Sequence, residues 1–266
     1  MGEFVRGYLG LVRASTQVAI AYRGRMVVWF LTGFFPLLLM AVWLTVVAGS
    51  GPPRGWTTGD FIGYYAAAAV LWHLSGQHVV WEWDADQRSG DLSVRLMRPM
   101  HPFHQYAASD LGHRVVALAM LVPVLALATL VTPGLQYHLT AVRALAVAAA
   151  VLLGYLLSLV MASVFALVGF WTTQTSNLYM LWWGMGSFVS GWVAPLALMP
   201  GWLRPAAGVL PFRTTMGFPI EVLTGRLAGT QVWFGFAVGL GWLGVFTVVY
   251  LAAWPHAVRR HQAVAG

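Results

Sequence analysis

Three side chains able to handle protons or polar cargo stand together in an otherwise apolar run: His73, Gln77 and His78, with Ser75 between them. On a helix, His73 and Gln77 are one turn apart and share a face. Polar groups at membrane depth are costly and face a pathway or a neighbouring helix. Two roles are therefore open to them, contact with a substrate or proton, and hydrogen bonding between helices. Metal binding is the next chemistry to weigh. His78 and Glu82 are four residues apart, and Asp84, Asp86, His101 and His104 follow. That spacing does not bring ligands to one point with supporting hydrogen bonds, so no metal site is assigned.

Nucleophilic chemistry finds less. Val189-Ser190-Gly191 invites comparison with the Gly-x-Ser-Gly pattern of membrane serine proteases, but Phe188 stands where that pattern has Gly. No His falls within 232–254 to act as base, so no catalytic residue is assigned. All fifteen basic residues are Arg; there is neither Lys nor Cys. The absent Lys excludes Schiff-base chemistry and a Walker A loop, and the absent Cys excludes disulfides and thiolate metal sites. No cofactor is expected in the chain.

The elements that must position these residues are membrane helices. The chain has 266 residues, 59% hydrophobic and 9% charged, with mean hydropathy +0.72, whereas soluble domains carry about 25% charged residues. Six apolar runs contain no Asp, Glu or Arg: 26–48, 61–81, 115–132, 144–171, 178–200 and 232–254. A helix needs about 20 residues to cross a hydrocarbon core of roughly 30 Å. Five runs have that length, and the third borrows 111–114 with Arg114 snorkelling. The expectation is an all-α integral membrane protein with six transmembrane helices in one domain spanning 1–266. The first run is too long for a signal-peptide core of about 7–15 residues.

Counting Arg in alternate loops orients the chain. Ten fall on one side: Arg6, Arg13, Arg23, Arg25, Arg88, Arg95, Arg98, Arg114, Arg259 and Arg260. Arg54, Arg143, Arg204, Arg213 and Arg226 fall on the other. Both termini are expected on the cytoplasmic side of the cell (inner) membrane. The pI of about 10.2 accompanies no basic stripe, so the implied partner is anionic lipid and not nucleic acid.

Three segments lie outside the runs. Residues 3–22 place Phe4, Tyr8, Leu11, Ser15, Val18 and Tyr22 on one face and Arg6, Arg13 and Gln17 opposite, the pattern of an amphipathic interfacial helix. The loop 82–110 holds eight of the 23 charges. Within it Arg88 to Pro99 reads as one short amphipathic helix, with Leu92 and Leu96 one turn apart as exposed anchors and Pro99 ending it. Asp110 is placed to cap the following membrane helix. The third segment, 201–231, carries Pro205, Pro211 and Pro219 among long apolar pieces. It reads as two half-helices dipping into the outer leaflet, with Glu221 available to Arg213 or Arg226 as an exposed pair worth about 0–1 kcal/mol.

Asp60-Phe-Ile-Gly-Tyr-Tyr65, Ser89-Gly-Asp-Leu-Ser-Val-Arg-Leu-Met-Arg-Pro99 and Met199-Pro-Gly-Trp-Leu203, followed by Leu210-Pro-Phe212, carry a resemblance over nearly the whole chain. The sequence resembles permease subunits of ABC transporters of the type-2 exporter superfamily, in particular its small six-span bacterial drug and multidrug export permeases. The resemblance implies that 3–22 is a connecting helix. It implies a coupling helix seated on an ATP-binding subunit, carried by Arg88, Gly90, Leu92, Arg95, Leu96, Arg98 and Pro99. It further implies a re-entrant outer gate at Pro211, Phe212, Arg213 and Glu221. The partners it implies are two ATP-binding cassette subunits, which hold ATP and Mg, and a second permease, identical or homologous. A self-sufficient transporter or channel using His73 and His78 is the alternative.

Overall fold

The computed structural model describes residues 2–53, 55–131, 137, 139–172 and 174–265. Arg54 and Thr132, the last residue of the third expected run, lie outside them. Thirteen helices follow in order. They are α1 (Gly2–Ala21), α2 (Arg23–Thr32), α3 (Phe35–Ser50), α4 (Thr58–Ser75), α5 (Val79–Ser89) and α6 (Asp91–Leu96). The rest are α7 (Pro102–Val131), α8 (Ala141–Val168), α9 (Thr175–Val189), α10 (Leu203–Val209), α11 (Pro211–Thr215), α12 (Gly217–Leu223) and α13 (Thr230–Ala265). A 3-10 turn, Leu196–Leu198, precedes α10. Among the described residues no strand occurs, as expected where each backbone group must be satisfied within its own helix.

Among the described residues four helical stretches are long and apolar enough to cross a membrane: Arg23–Ser50, Pro102–Leu127, Ala141–Val168 and Thr230–Arg260. They answer to the first, third, fourth and sixth expected runs. The second and fifth runs are not single crossing helices. The second is split between α4 and α5, because Gly76 takes an extended conformation (φ −60°, ψ 153°). The fifth is cut to the 15 residues of α9, about 22 Å at 1.5 Å per residue. Ser190 and Gly191, the latter at φ +92°, turn the chain there. The remainder of that run becomes irregular chain and the 3-10 turn.

The core is built around α8. Its apolar window is 67% buried, against 11–22% in the other three crossing stretches, which present their apolar side chains outwards as a lipid-facing surface requires. Helices α4, α5, α9, α11, α12 and α13 all pack on it. Gly154 permits the approach of α11: a Cβ there would stand 2.7 Å from the Thr214 carbonyl oxygen. α11 and α12 are thus packed into the bundle and do not project from it.

α1 lies along α7. Tyr8, Leu11, Val12, Ser15, Thr16 and Ala19 form its covered face, while Phe4, Val18 and Tyr22 stay exposed. The Ser15 hydroxyl donates to the Ser109 carbonyl at 2.7 Å. The amphipathic helix expected at 3–22 is therefore present, but its stripe is spent partly on protein.

Candidate functional site

At one end of the bundle α5 and α6 form a corner. Gly90 adopts φ +84°, a left-handed conformation that closes α5 and starts α6 in a different direction. The single helix expected from Arg88 to Pro99 is consequently two pieces, with Arg88 on α5. Leu92 is 1% exposed and belongs to the core cluster with Val80, Trp83 and Tyr106, with Leu96 packed beside it. The expected anchor at Leu92 thus faces inwards, since the turn at Gly90 rotates α6 onto the bundle. The outward apolar side chains are Met97, 78% exposed, and Val94, 47% exposed. Arg88, Arg98 and Pro99 are exposed beside them.

Arg95 locks this corner from beneath. Its guanidinium stands 2.8 Å from Glu82 and 2.5 Å from Asp86, and lies 4.4 Å over the Tyr106 ring. The Tyr106 hydroxyl donates to Asp86 at 2.8 Å and the Ser109 hydroxyl to Glu82 at 2.9 Å. The Gln105 amide donates to the Arg95 and Met100 carbonyls at 2.9 and 2.7 Å. Burial pushes the Glu82 carboxyl up from its ordinary range, with Arg95 opposing that shift. Asp84 accepts from the Ser176 backbone amide at 2.8 Å, which ties α5 to the first turn of α9. The acids weighed as metal ligands are therefore engaged by arginines and a backbone amide.

Above the corner, the break between α4 and α5 is capped from both sides by α7. A helix ending at Ser75 leaves its last carbonyls without intrahelical partners. The Arg114 guanidinium, 11% exposed, donates to the carbonyls of His73 at 3.1 Å and of Leu74 and Gly76. It also pairs with Asp110 at 2.9 Å and lies 4.2 Å over the Tyr155 ring. Asp110 in turn accepts from the His78 backbone amide at 3.0 Å, and the Gln77 side chain accepts from the Val79 amide at 2.8 Å. Two expectations are corrected here. α7 begins at Pro102, so Asp110 lies inside it and caps α5 instead; Arg114 does not snorkel but is buried against the break.

His73, Gln77 and His78 all line one cavity of about 980 Å³. They do not share a helix face, because the break falls between His73 and Gln77. His73 stacks on Phe30 at 4.6 Å and meets Phe34 at 5.4 Å. The Gln77 amide donates to the Tyr179 hydroxyl at 2.5 Å, and His78 Nδ1 stands 3.4 Å from Asp110. The cavity runs from Arg95 and Arg98 at the α6 corner to Phe212, Thr215 and Met216 at the other end.

That far end is held by buried bonds. Arg213 pairs with Glu221 at 2.6 Å, with side chains 12% and 11% exposed. The pair is buried, not exposed as expected, because α12 is enclosed by α4 and α8. Arg226 goes instead to Asp60 at 3.0 Å and lies over Trp56. Pro211 is buried at the start of α11, and Phe212 packs on Trp182 at 4.6 Å. Three short helices, not two, make up this segment. Ser190 donates to the Ser187 carbonyl at 3.0 Å and accepts from the Trp192 amide at 3.1 Å, closing α9 as a cap.

Helices that cross a membrane and a polar corner leading into a cavity give the setting for the comparison that decides the family. A family model described as ABC-2 family transporter protein matches residues 28–265. The chain belongs to the ABC-2 transporter family. It is an integral membrane permease of an ABC transporter, and the match covers α3 to α13 in full and the second half of α2. No match was found among curated proteins. In this permease four side chains that line the cavity join it to the corner. Arg114, Asp110, Glu82 and Gln105 were missed as such by reading the sequence. Asp110 and Arg114 at i,i+4 within an apolar setting were the available signal.

Proposed function

We propose that this permease is the membrane subunit of an ATP-driven exporter and that the α5–α6 corner is where an ATP-binding subunit docks. The observation that carries the reading is the corner's division of labour. Met97 and Val94 stand exposed between Arg88 and Arg98, while Arg95, Glu82 and Asp86 tie the same short helix to α5 and α7. An apolar anchor rimmed by charge is suited to a protein groove. A helix fixed to two neighbours transmits a push as a rigid body.

In this reading the corner faces the cytoplasm with both termini, and two ATP-binding subunits carry ATP and Mg. A second permease, identical or homologous, completes the pathway. α4 and α9, neither of which is among the four crossing stretches, complete a six-span topology with α5 and the residues after α9. α10 to α12 form the outer gate, where Phe212 closes the cavity and Arg213 and Glu221 hold α12 in place. Movement of the corner reaches the cavity through Asp110 and Arg114, which join α7 to the break beside Gln77 and His78. The chain has no Lys and cannot carry a Walker A loop, so hydrolysis belongs to a partner. No observation favours a self-sufficient transporter.

Purification from the native membrane tests this. A Walker-type ATPase should accompany the chain in stoichiometric amount, and Met97→Asp with Val94→Asp should release it. Full transport by the chain alone, insensitive to ATP, overturns the reading.

A further inference from the structure

The charges lining the cavity do not balance. Four arginines, Arg25, Arg95, Arg98 and Arg114, face two carboxylates, Glu82 and Asp110. Each carboxylate already has its own arginine, Glu82 at 2.8 Å from Arg95 and Asp110 at 2.9 Å from Arg114. Arg25 and Arg98 are exposed, and among the described residues neither has a carboxylate in ion-pairing range. Arg25 lies over the Tyr22 ring and Arg98 donates to Gln105. The cavity thus has spare positive charge and no spare negative charge.

Most of the rest of the wall is apolar or aromatic, including the indoles of Trp29, Trp72, Trp81, Trp183 and Trp192, with serines, histidines and glutamines between them. Among the described residues five lining residues leave a buried polar atom without a hydrogen-bond partner: Nε2 of His73, Oγ of Ser75, Nδ1 of His78, Nε of Arg114 and Nε1 of Trp192. His73 and Ser75 are 8% and 4% exposed. An indole N–H can only donate and a serine hydroxyl can donate, so these atoms suit a ligand rich in acceptor oxygens. A cationic amphiphile would meet two unmatched guanidinium groups and no free carboxylate. An anionic one meets charge-assisted donors at one end and a surface for its apolar body beyond.

We infer that the cavity takes an anionic amphiphile, its phosphate or carboxylate head drawn by Arg25 and Arg98 and its apolar body laid along the tryptophans. This rests on the permease reading and names the class of its substrate. Two sources share that chemistry, an anionic phospholipid of the bilayer and a smaller acidic amphiphile.

The full chain in discs of zwitterionic lipid, titrated by tryptophan fluorescence with dodecyl phosphate and with dodecyltrimethylammonium, separates the outcomes. The phosphate should bind at least about tenfold more tightly. Arg25→Gln with Arg98→Gln should remove that preference, and Arg25→Lys with Arg98→Lys should keep it. With phosphatidylglycerol in the discs, loss of probe binding identifies bilayer lipid as the occupant and persistence identifies a separate cargo; both support the inference. Equal affinity for the two probes, preference for the cation, or a preference undiminished in the Gln variant overturns it. No ATPase takes part in the titration, so its failure is distinct from a failure of the docking test.

Discussion

The Arg114 guanidinium stands 2.9 Å from the Asp110 carboxylate one turn earlier on the same helix, and the two groups cap the facing ends of a broken neighbour. Arg114 covers carbonyls at the end of α4, and Asp110 an amide at the start of α5. An ion pair held this far from solvent is costly to split, since removing one partner strands the other charge.

Arg114→Leu should therefore destabilise the protein by about 3–5 kcal/mol. Arg114→Leu combined with Asp110→Leu should cost less than the sum of the two single changes. Thermal unfolding in lipid discs measures both, and strict additivity would refute the coupling.

Leu92 and Met97 should part company although they are five residues apart. Leu92→Ala removes a buried side chain and should cost about 2–5 kcal/mol. Met97→Asp, on the exposed face, should alter stability by no more than about 0.5 kcal/mol while weakening capture of the ATP-binding subunit. Unfolding curves and co-purification from the same preparations give the two readouts.

Breaking the buried pair at the opposite end should be as harmful as breaking the one beside the cavity. Glu221→Gln leaves Arg213 without its carboxylate and should cost about 3–5 kcal/mol. Replacing both by apolar residues of similar volume should restore most of the loss. A loss below about 1 kcal/mol would mean that water reaches the pair as it would an exposed one.

Arg95→Met should make stability fall with rising pH. Burial already raises the Glu82 carboxyl above its ordinary range, and Arg95 is the first group opposing that rise. Without Arg95 the folded protein holds the Glu82 proton to still higher pH than the unfolded chain does. Stability is then full below the unfolded carboxyl range and is lost as pH climbs through the folded one. Adding Glu82→Gln should flatten that slope.

Composition and run length carried the membrane assignment, the all-helical class and four crossing stretches, because apolar length is a local property. The breaks were harder to read. Gly76 and Gly191 lie in runs free of Asp, Glu and Arg, and what ends a helix there is backbone conformation together with bonds from elsewhere in the chain. Gly90 was visible, yet its left-handed turn was read as part of a helix. Turning α6 there buried Leu92 and left Met97 exposed, and the first of these is what periodicity alone does not report. For His73 and Gln77, one missing helical turn separated a pair that spacing had placed on one face, while the cavity brought them together again.

The cap on α4 arrives late. Arg114 lies 38 to 41 residues beyond the carbonyls it covers, so during synthesis the end of α4 emerges with nothing of its own chain to satisfy it. α4 cannot settle in its final place until α7 has followed it. The last contact made at the end of α4 therefore belongs to a helix synthesised after it, and one arginine carries it.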